Sequence, residues 1–237
     1  MPASVVRAIK PRPWALWVFW LLLVADLTGL LWPGTRLHLI AKPLLMPALF
    51  VHLYLSKLHS AQRHYKWVLG ALAFSWLGDV LLMLDSWQPT LFLGGLSAFL
   101  MAHILYIIYF RKYQRARQHS WYKKNAVLVA APLFYGLGLL LFMIPRLGSL
   151  TVPVIIYCAV ILTMLLMAMG MQPFVSAKVY TPIVMGAILF VLSDTILALN
   201  KFVLPLPYAS LIIMLTYGLA QVAITTGAVR NKDHKLQ

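Results

Sequence analysis

The sequence predicts an all-α, polytopic membrane protein with eight transmembrane helices, and three observations carry that expectation. The first is composition: 62% of the residues are hydrophobic, 11% are charged, and mean hydropathy is +0.84. A soluble domain is about 45–50% apolar and about 25% charged. This chain cannot cover its surface with polar groups, so it needs lipid as its solvent. The second is that apolar runs near the roughly 20 residues needed to span a bilayer recur along the chain. The third is that the cations collect in alternate breaks between those runs.

The expected spans are 14–31, 38–55, 67–84, 91–110, 126–144, 152–171, 180–200 and 208–229. The first follows Arg7, Lys10 and Arg12, as a signal peptide would. It is long enough to span and no small-residue cleavage site follows it, so it reads as a retained helix. The breaks carry helix-stopping chemistry: Trp32-Pro33-Gly34, Gln88-Pro89, Pro145-Arg146, Gln172-Pro173 and Pro205-Leu206-Pro207. No soluble domain fits between spans. The expected organisation is a tail over 1–13, one membrane domain over 14–229 and a tail over 230–237.

Lys and Arg number 20 against 5 acidic residues, for a formal net charge of +15 and a pI near 10.2. In a soluble protein this balance would suggest nucleic acid. Here the cations lie in short loops, so the expected partners are anionic lipid headgroups and not nucleic acid. With a cytoplasmic N-terminus, 16 of the cations fall on the inner side and 3, Arg36, Arg146 and Lys201, on the outer. The positive-inside rule then puts both termini in the cytoplasm. Such a chain belongs in a bacterial inner membrane or, in a eukaryote, the endoplasmic reticulum.

Cys158 is the single cysteine, which excludes an internal disulfide and a cysteine-based metal site. No HExxH or HxxxH pair, GxSxG elbow or P-loop occurs, so neither metal nor cofactor is expected. Leu77-Gly78-Asp79 carries the Gly-Asp pair of intramembrane aspartyl proteases, but Trp76 stands where that motif has glycine.

Charged groups inside a membrane cost about 2.5–3.5 kcal/mol each on insertion scales, so each needs a reason. Asp79 and Asp194 fall at similar depth in spans 3 and 7, which run the same way. They can face each other at one site, or serve as two separate structural carboxylates. Lys42 can snorkel to the surface or hold an anionic substrate. Lys201 lies seven positions after Asp194, on the same helical face and about 10 Å higher. It too can be a snorkelling lysine or an anion site. His103 with Tyr106, and Tyr217 with Gln221, have helical spacing and suit either a polar cavity or interhelical hydrogen bonds. Asp26 leaves structure and function open, and His52 is expected at the interface.

Phe74-Ser75-Trp76-Leu77-Gly78-Asp79 is echoed by Phe190-Val191-Leu192-Ser193-Asp194. Each is followed by a span with polar residues near its middle. The echo allows a parallel four-helix repeat.

Several motifs occur in order: Ala41-Lys42-Pro43-Leu44, Phe74-Ser75-x-x-Gly78-Asp79, Ala102-His103-x-x-Tyr106, Ser193-Asp194 through Asn200-Lys201-Phe202, and Tyr217-x-x-Ala220-Gln221. In these the chain resembles the YhhN-like lysoplasmalogenase family of eight-helix membrane proteins, from about Lys42 to Gly227. The resemblance implies hydrolysis of the vinyl ether of lysoplasmalogen to a fatty aldehyde and a glycerophospho-ethanolamine or -choline. It makes Asp79, Asp194 and His103 the expected catalytic residues. Lys42, Tyr106, Ser193, Asn200, Lys201, Tyr217 and Gln221 become the expected substrate contacts.

A vinyl ether is cleaved by protonating its β-carbon, which creates an oxocarbenium ion that water then attacks. That needs a carboxylic acid still protonated at neutral pH and a nearby anion. Two carboxyls in a low-dielectric site can supply both, as the carboxyl pair of a glycosidase does. The competing class is a lipid or small-molecule transporter using the same aspartates as proton carriers, which broken helices and a parallel repeat would favour.

Overall fold

A computed structural model describes residues 14–32, 34–58, 60, 63–85, 87–88, 90–114 and 118–231. The expected tail over 1–13, the tail beyond Asn231, and Pro33, Pro89, Arg115 and Arg117 lie outside the described residues. Among those described, every regular element is helical: α1 Trp14–Leu31, α2 Leu37–Lys57, α3 Tyr65–Met83, α4 Thr90–Arg111, α5 Gln118–Lys124, α6 Ala126–Leu147, α7 Thr151–Met169, α8 Ala177–Phe202 and α9 Ala209–Arg230. All but α5 are 18 residues or longer; α1–α4, α8 and α9 are each apolar enough to cross a membrane, as is the stretch Ala126–Met169 that contains α6 and α7. Large apolar side chains such as Trp17, Leu21, Val127, Phe134 and Val152 are exposed on the outside of the bundle, the arrangement lipid requires.

Two details differ from the sequence expectation. The break expected at Pro145-Arg146 is absent, because both residues continue α6. The reversal falls at Gly148, whose φ of +53° L side chains rarely adopt. α6 then turns back onto α7 as a hairpin, with Gly136 close against Leu162 and Cys158. The short α5 was not expected. It lies at the basic end, where Trp121 donates a hydrogen bond to the Gln172 side chain at 2.9 Å.

Prolines inside α2, α6 and α8 do not interrupt those helices. Pro47 has no N–H for the Pro43 carbonyl one turn back. The Trp76 indole from α3 donates to that carbonyl at 3.0 Å, so the freed group is satisfied within the bundle.

The packing has an internal correspondence. Adding 115 to residue numbers carries α1–α4 onto α6–α9 to within four residues at every end. α3 packs on α4 as α8 packs on α9, and α2 touches α9 as α7 touches α4. The same offset carries Asp79 onto Asp194, Lys42 onto Tyr157 and Tyr106 onto Gln221. Tyr106 and Gln221 meet, the tyrosine hydroxyl donating to the amide oxygen at 2.6 Å. α8 and α9 approach closely at Gly186, where a Cβ would come within 2.7 Å of the Ala220 carbonyl oxygen.

Candidate functional site

The ion pair between Lys201 and Asp85, 2.7 Å apart, ties the end of α8 to the segment after α3 and sets a common level. Asp79 lies six residues before Asp85 and Asp194 seven before Lys201. Both carboxyls are therefore about 10 Å below that level, since a helix rises 1.5 Å per residue.

They do not share a hydrogen bond or ion pair. Asp79, buried in α3, accepts a hydrogen bond from the Tyr217 hydroxyl of α9 at 2.8 Å. Asp194, on α8, accepts one from the Tyr157 hydroxyl of α7 at 2.5 Å. Two aromatic rings lie where the two groups meet. Phe190 packs edge-on to His103 at 4.7 Å and to Tyr217 at 5.5 Å, and Phe99 packs against both Phe190 and Tyr217. The two carboxyls belong to two hydrogen-bonded clusters at one depth, Asp79 with Tyr217 and Asp194 with Tyr157, and Phe190 contacts a member of each neighbourhood, Tyr217 and His103. Helical spacing placed the two aspartates at one level but could not show what packs around them.

The Asp194 cluster opens on a cavity. It encloses about 660 Å³ of space free of atoms, including its open mouth, and lies between α4, α6, α7 and α8. Phe92, Leu96, Leu140, Met143, Val154 and Phe202 line its outer part, and Asp194, Tyr157, Thr195 and Tyr135 are its polar wall. Tyr135 donates to the Thr195 hydroxyl at 2.8 Å. His103 is fully buried beside it, its Nε2 4.0 Å from the Asp194 Oδ2. Neither ring nitrogen has a hydrogen-bond partner among the described residues.

The Asp79 cluster is buried and polar. Tyr106 donates to Gln221, and Gln221 donates to the Ser75 hydroxyl at 2.9 Å. Lys42, partly exposed on α2, lies within electrostatic range of Asp79, as does Asp26. Asp26 is fully buried and pairs with His38 at 2.7 Å, joining α1 to α2. Its Oδ2 has no partner among the described residues.

The remaining candidates are engaged elsewhere. Ser193 donates to the Ile213 carbonyl at 3.2 Å and so ties α8 to α9. Asn200 accepts the Leu206 N–H at 2.8 Å and holds the turn before α9. Lys201 sits over the Phe92 ring, 4.6 Å from its centroid, at the rim of the cavity. His52, expected at the interface, lies five residues before the end of α2 with its side chain buried against the bundle. Two residues escaped sequence reasoning. Tyr157 and Tyr135 look like ordinary aromatics in apolar spans, and only the 115-residue offset, which pairs Tyr157 with Lys42, singles one of them out.

Comparison with known proteins bears on what this arrangement does. The chain is 30% identical over 200 residues to a lysoplasmalogenase of Mycobacterium bovis, covering 82% of this chain and 74% of the relative. It is 33% identical over 180 residues to lysoplasmalogenase TMEM86B of Sus scrofa, covering 76% and 71%. It is 34% identical over 172 residues to the Homo sapiens protein of that name, covering 68% and 63%. No solved structure matches. The YhhN family model matches residues 37–228, which takes in seven of the eight spans and every candidate above except Asp26, and the chain is therefore a member of the YhhN family.

Proposed function

We propose that this chain is a lysoplasmalogenase, a hydrolase of the vinyl ether of alkenyl lysophospholipids, with Asp194 as its proton donor. The observation that carries this reading is the Asp194 carboxyl in the wall of an apolar, membrane-embedded cavity. The named relatives supply the substrate class. The apolar walls suit an alkenyl chain, and the carboxyl is intrinsically the most acidic group in them.

The steps balance as follows. Asp194 gives its proton to the β-carbon of the vinyl ether, leaving a carboxylate and an oxocarbenium ion at the α-carbon. Water adds to the α-carbon and returns a proton to the carboxylate. The hemiacetal then collapses, its hydroxyl proton passing to the departing glycerol oxygen. The products are a fatty aldehyde and a glycerophospho-alcohol. Developing positive charge beside a carboxylate in a water-poor site is the electrostatic stabilisation such a reaction needs. To His103, buried 4.0 Å from Asp194, we assign the role of orienting that carboxyl or the attacking water. Asp79 is the second carboxylate of the reading, acting from across Phe190. Lys42 and Lys201 are the cations for the phosphate.

The spans are continuous helices, which favours this reading over a transporter built on broken ones, although the 115-residue correspondence is a feature that transporters share. The cation distribution supports both termini in the cytoplasm. The test is purified protein in detergent, with no membrane gradient. Aldehyde should appear from an alkenyl lysophospholipid and not from its saturated alkyl-ether analogue. Absence of aldehyde under these conditions would remove the hydrolase reading.

A further inference from the structure

The two halves place chemically different partners against equivalent carboxylates. Asp79 and Asp194 correspond under the 115-residue offset, and so do Lys42 and Tyr157. Lys42 lies within electrostatic range of Asp79, while Tyr157 hydrogen-bonds Asp194 directly. Asp79 also accepts the Tyr217 hydroxyl, so both carboxyls meet a tyrosine hydroxyl, and the difference is that the first has a cation in range besides. A cation favours only the anion. A hydroxyl can donate to either the acid or its conjugate base, so a hydroxyl alone suits a carboxyl that must lose and regain a proton in each cycle.

From this, and resting on the lysoplasmalogenase reading, we propose that Tyr157 is a positioning residue: it holds Asp194 Oδ2 so that Oδ1 presents the transferable proton to the cavity. Three observations support the assignment. The Tyr157 hydroxyl donates to Oδ2 and not to Oδ1. The Tyr157 ring is buried, lines the cavity and packs edge-on to His103 at 5.4 Å, which fixes its direction. The interaction also changes strength in the useful sense. A hydrogen bond to a charged acceptor is worth more than one to a neutral acceptor. As the proton leaves Oδ1 for the alkenyl carbon, Asp194 becomes a carboxylate and the Tyr157 bond strengthens. Stabilisation that grows toward the transition state raises kcat, not affinity.

The test compares wild type, Tyr157→Phe, Asp194→Asn and the double variant. Tyr157→Phe keeps the ring and removes only the hydroxyl; Tyr157→Leu is the second variant should the first not fold. The expected result is a roughly ten-fold fall in kcat, the difference between neutral and charge-assisted bonds, with KM nearly unchanged. In the Asp194→Asn background, the same substitution should cost nothing further, because Tyr157 acts through that carboxyl. A readout independent of turnover is the infrared carboxyl band that disappears in Asp194→Asn. It should move when the Tyr157 hydroxyl is removed. Unchanged kcat in a folded variant, an additive loss in the double variant, or an unmoved band would each overturn the proposal. If wild type releases no aldehyde, the lysoplasmalogenase reading fails separately. The infrared band then decides alone: a shift keeps Tyr157 as the group that holds Asp194, and no shift removes it.

Discussion

Replacing Asp194 with asparagine removes the donated proton while leaving most of the local geometry in place. The asparagine carbonyl can still accept the Tyr157 hydroxyl that now sits 2.5 Å from Oδ2. The new amide N–H group faces either the cavity or His103, whose Nε2 is 4.0 Å away. The stability cost should therefore stay below the roughly 1–3 kcal/mol of a fully buried unsatisfied donor. The side chain is 14% exposed and the cavity wall is open on that side, which lowers it further. The catalytic cost is larger. A general acid contributes about 10²–10⁴-fold, equivalent to roughly 2.7–5.4 kcal/mol of barrier. The variant should fold with nearly wild-type thermal stability and lose at least 100-fold in kcat (about 10²) for aldehyde release. Because the acid must carry its proton, wild-type kcat should fall as pH rises through that group's titration, and Asp194→Asn should lack this limb. Asp79→Asn provides the comparison. It keeps an acceptor for Tyr217, yet leaves the positive charge of Lys42 without its nearby carboxylate. If the two carboxyls act on one transition state, the double variant should lose less than the product of the single losses. Near-normal turnover by folded, lipid-solubilised Asp194→Asn would refute the reasoning outright.

The other expectations concern binding, packing and orientation. Lys201→Ala should raise KM about ten-fold with little change in kcat if its ammonium meets the substrate phosphate. Asp85→Asn, which frees that ammonium from a surface pair worth only about 0–1 kcal/mol, should lower KM; unchanged KM in both variants would leave Lys201 as an interfacial cation. Gly186→Ala should force α8 from α9 and destabilise by about 1–3 kcal/mol in thermal unfolding. Gly138→Ala, with nothing within 4 Å of the added carbon, should be neutral or slightly stabilising. Tyr106→Phe leaves the buried Gln221 oxygen without its 2.6 Å donor and should cost about 1–3 kcal/mol, and unaltered unfolding would show that the pair contributes nothing net. Cysteines placed at Lys112 or Lys123 in a Cys158→Ala background should resist membrane-impermeant thiol reagents in intact cells. Ready labelling from outside would reverse the orientation.

The sequence by itself determined the class of the protein, the number of spans and the depth of the two aspartates. These depend on properties summed along one segment: hydropathy over about 20 residues, the rise per residue, and the cations in the loops. It also marked the residues of the family motifs. What it could not supply was which side chains meet, because hydropathy and spacing describe one helix at a time, whereas contacts depend on rotation about each axis and on small residues such as Gly186 that set how close helices come. Pro145 illustrates this limit locally: it reads as a break, yet α6 runs through it to a glycine that can take the positive φ the turn requires. Tyr157 illustrates it at the site. An aromatic in an apolar span carries no signal of its own, and only the packing of α7 on α8 turns its hydroxyl onto Asp194. The same packing sets Phe190 against both His103 and Tyr217 and puts Asp194 in the wall of the cavity. Two chemically identical residues at one depth thus acquire different surroundings, since what a buried carboxyl can do depends on the groups within a few ångströms of it, and those come from other helices.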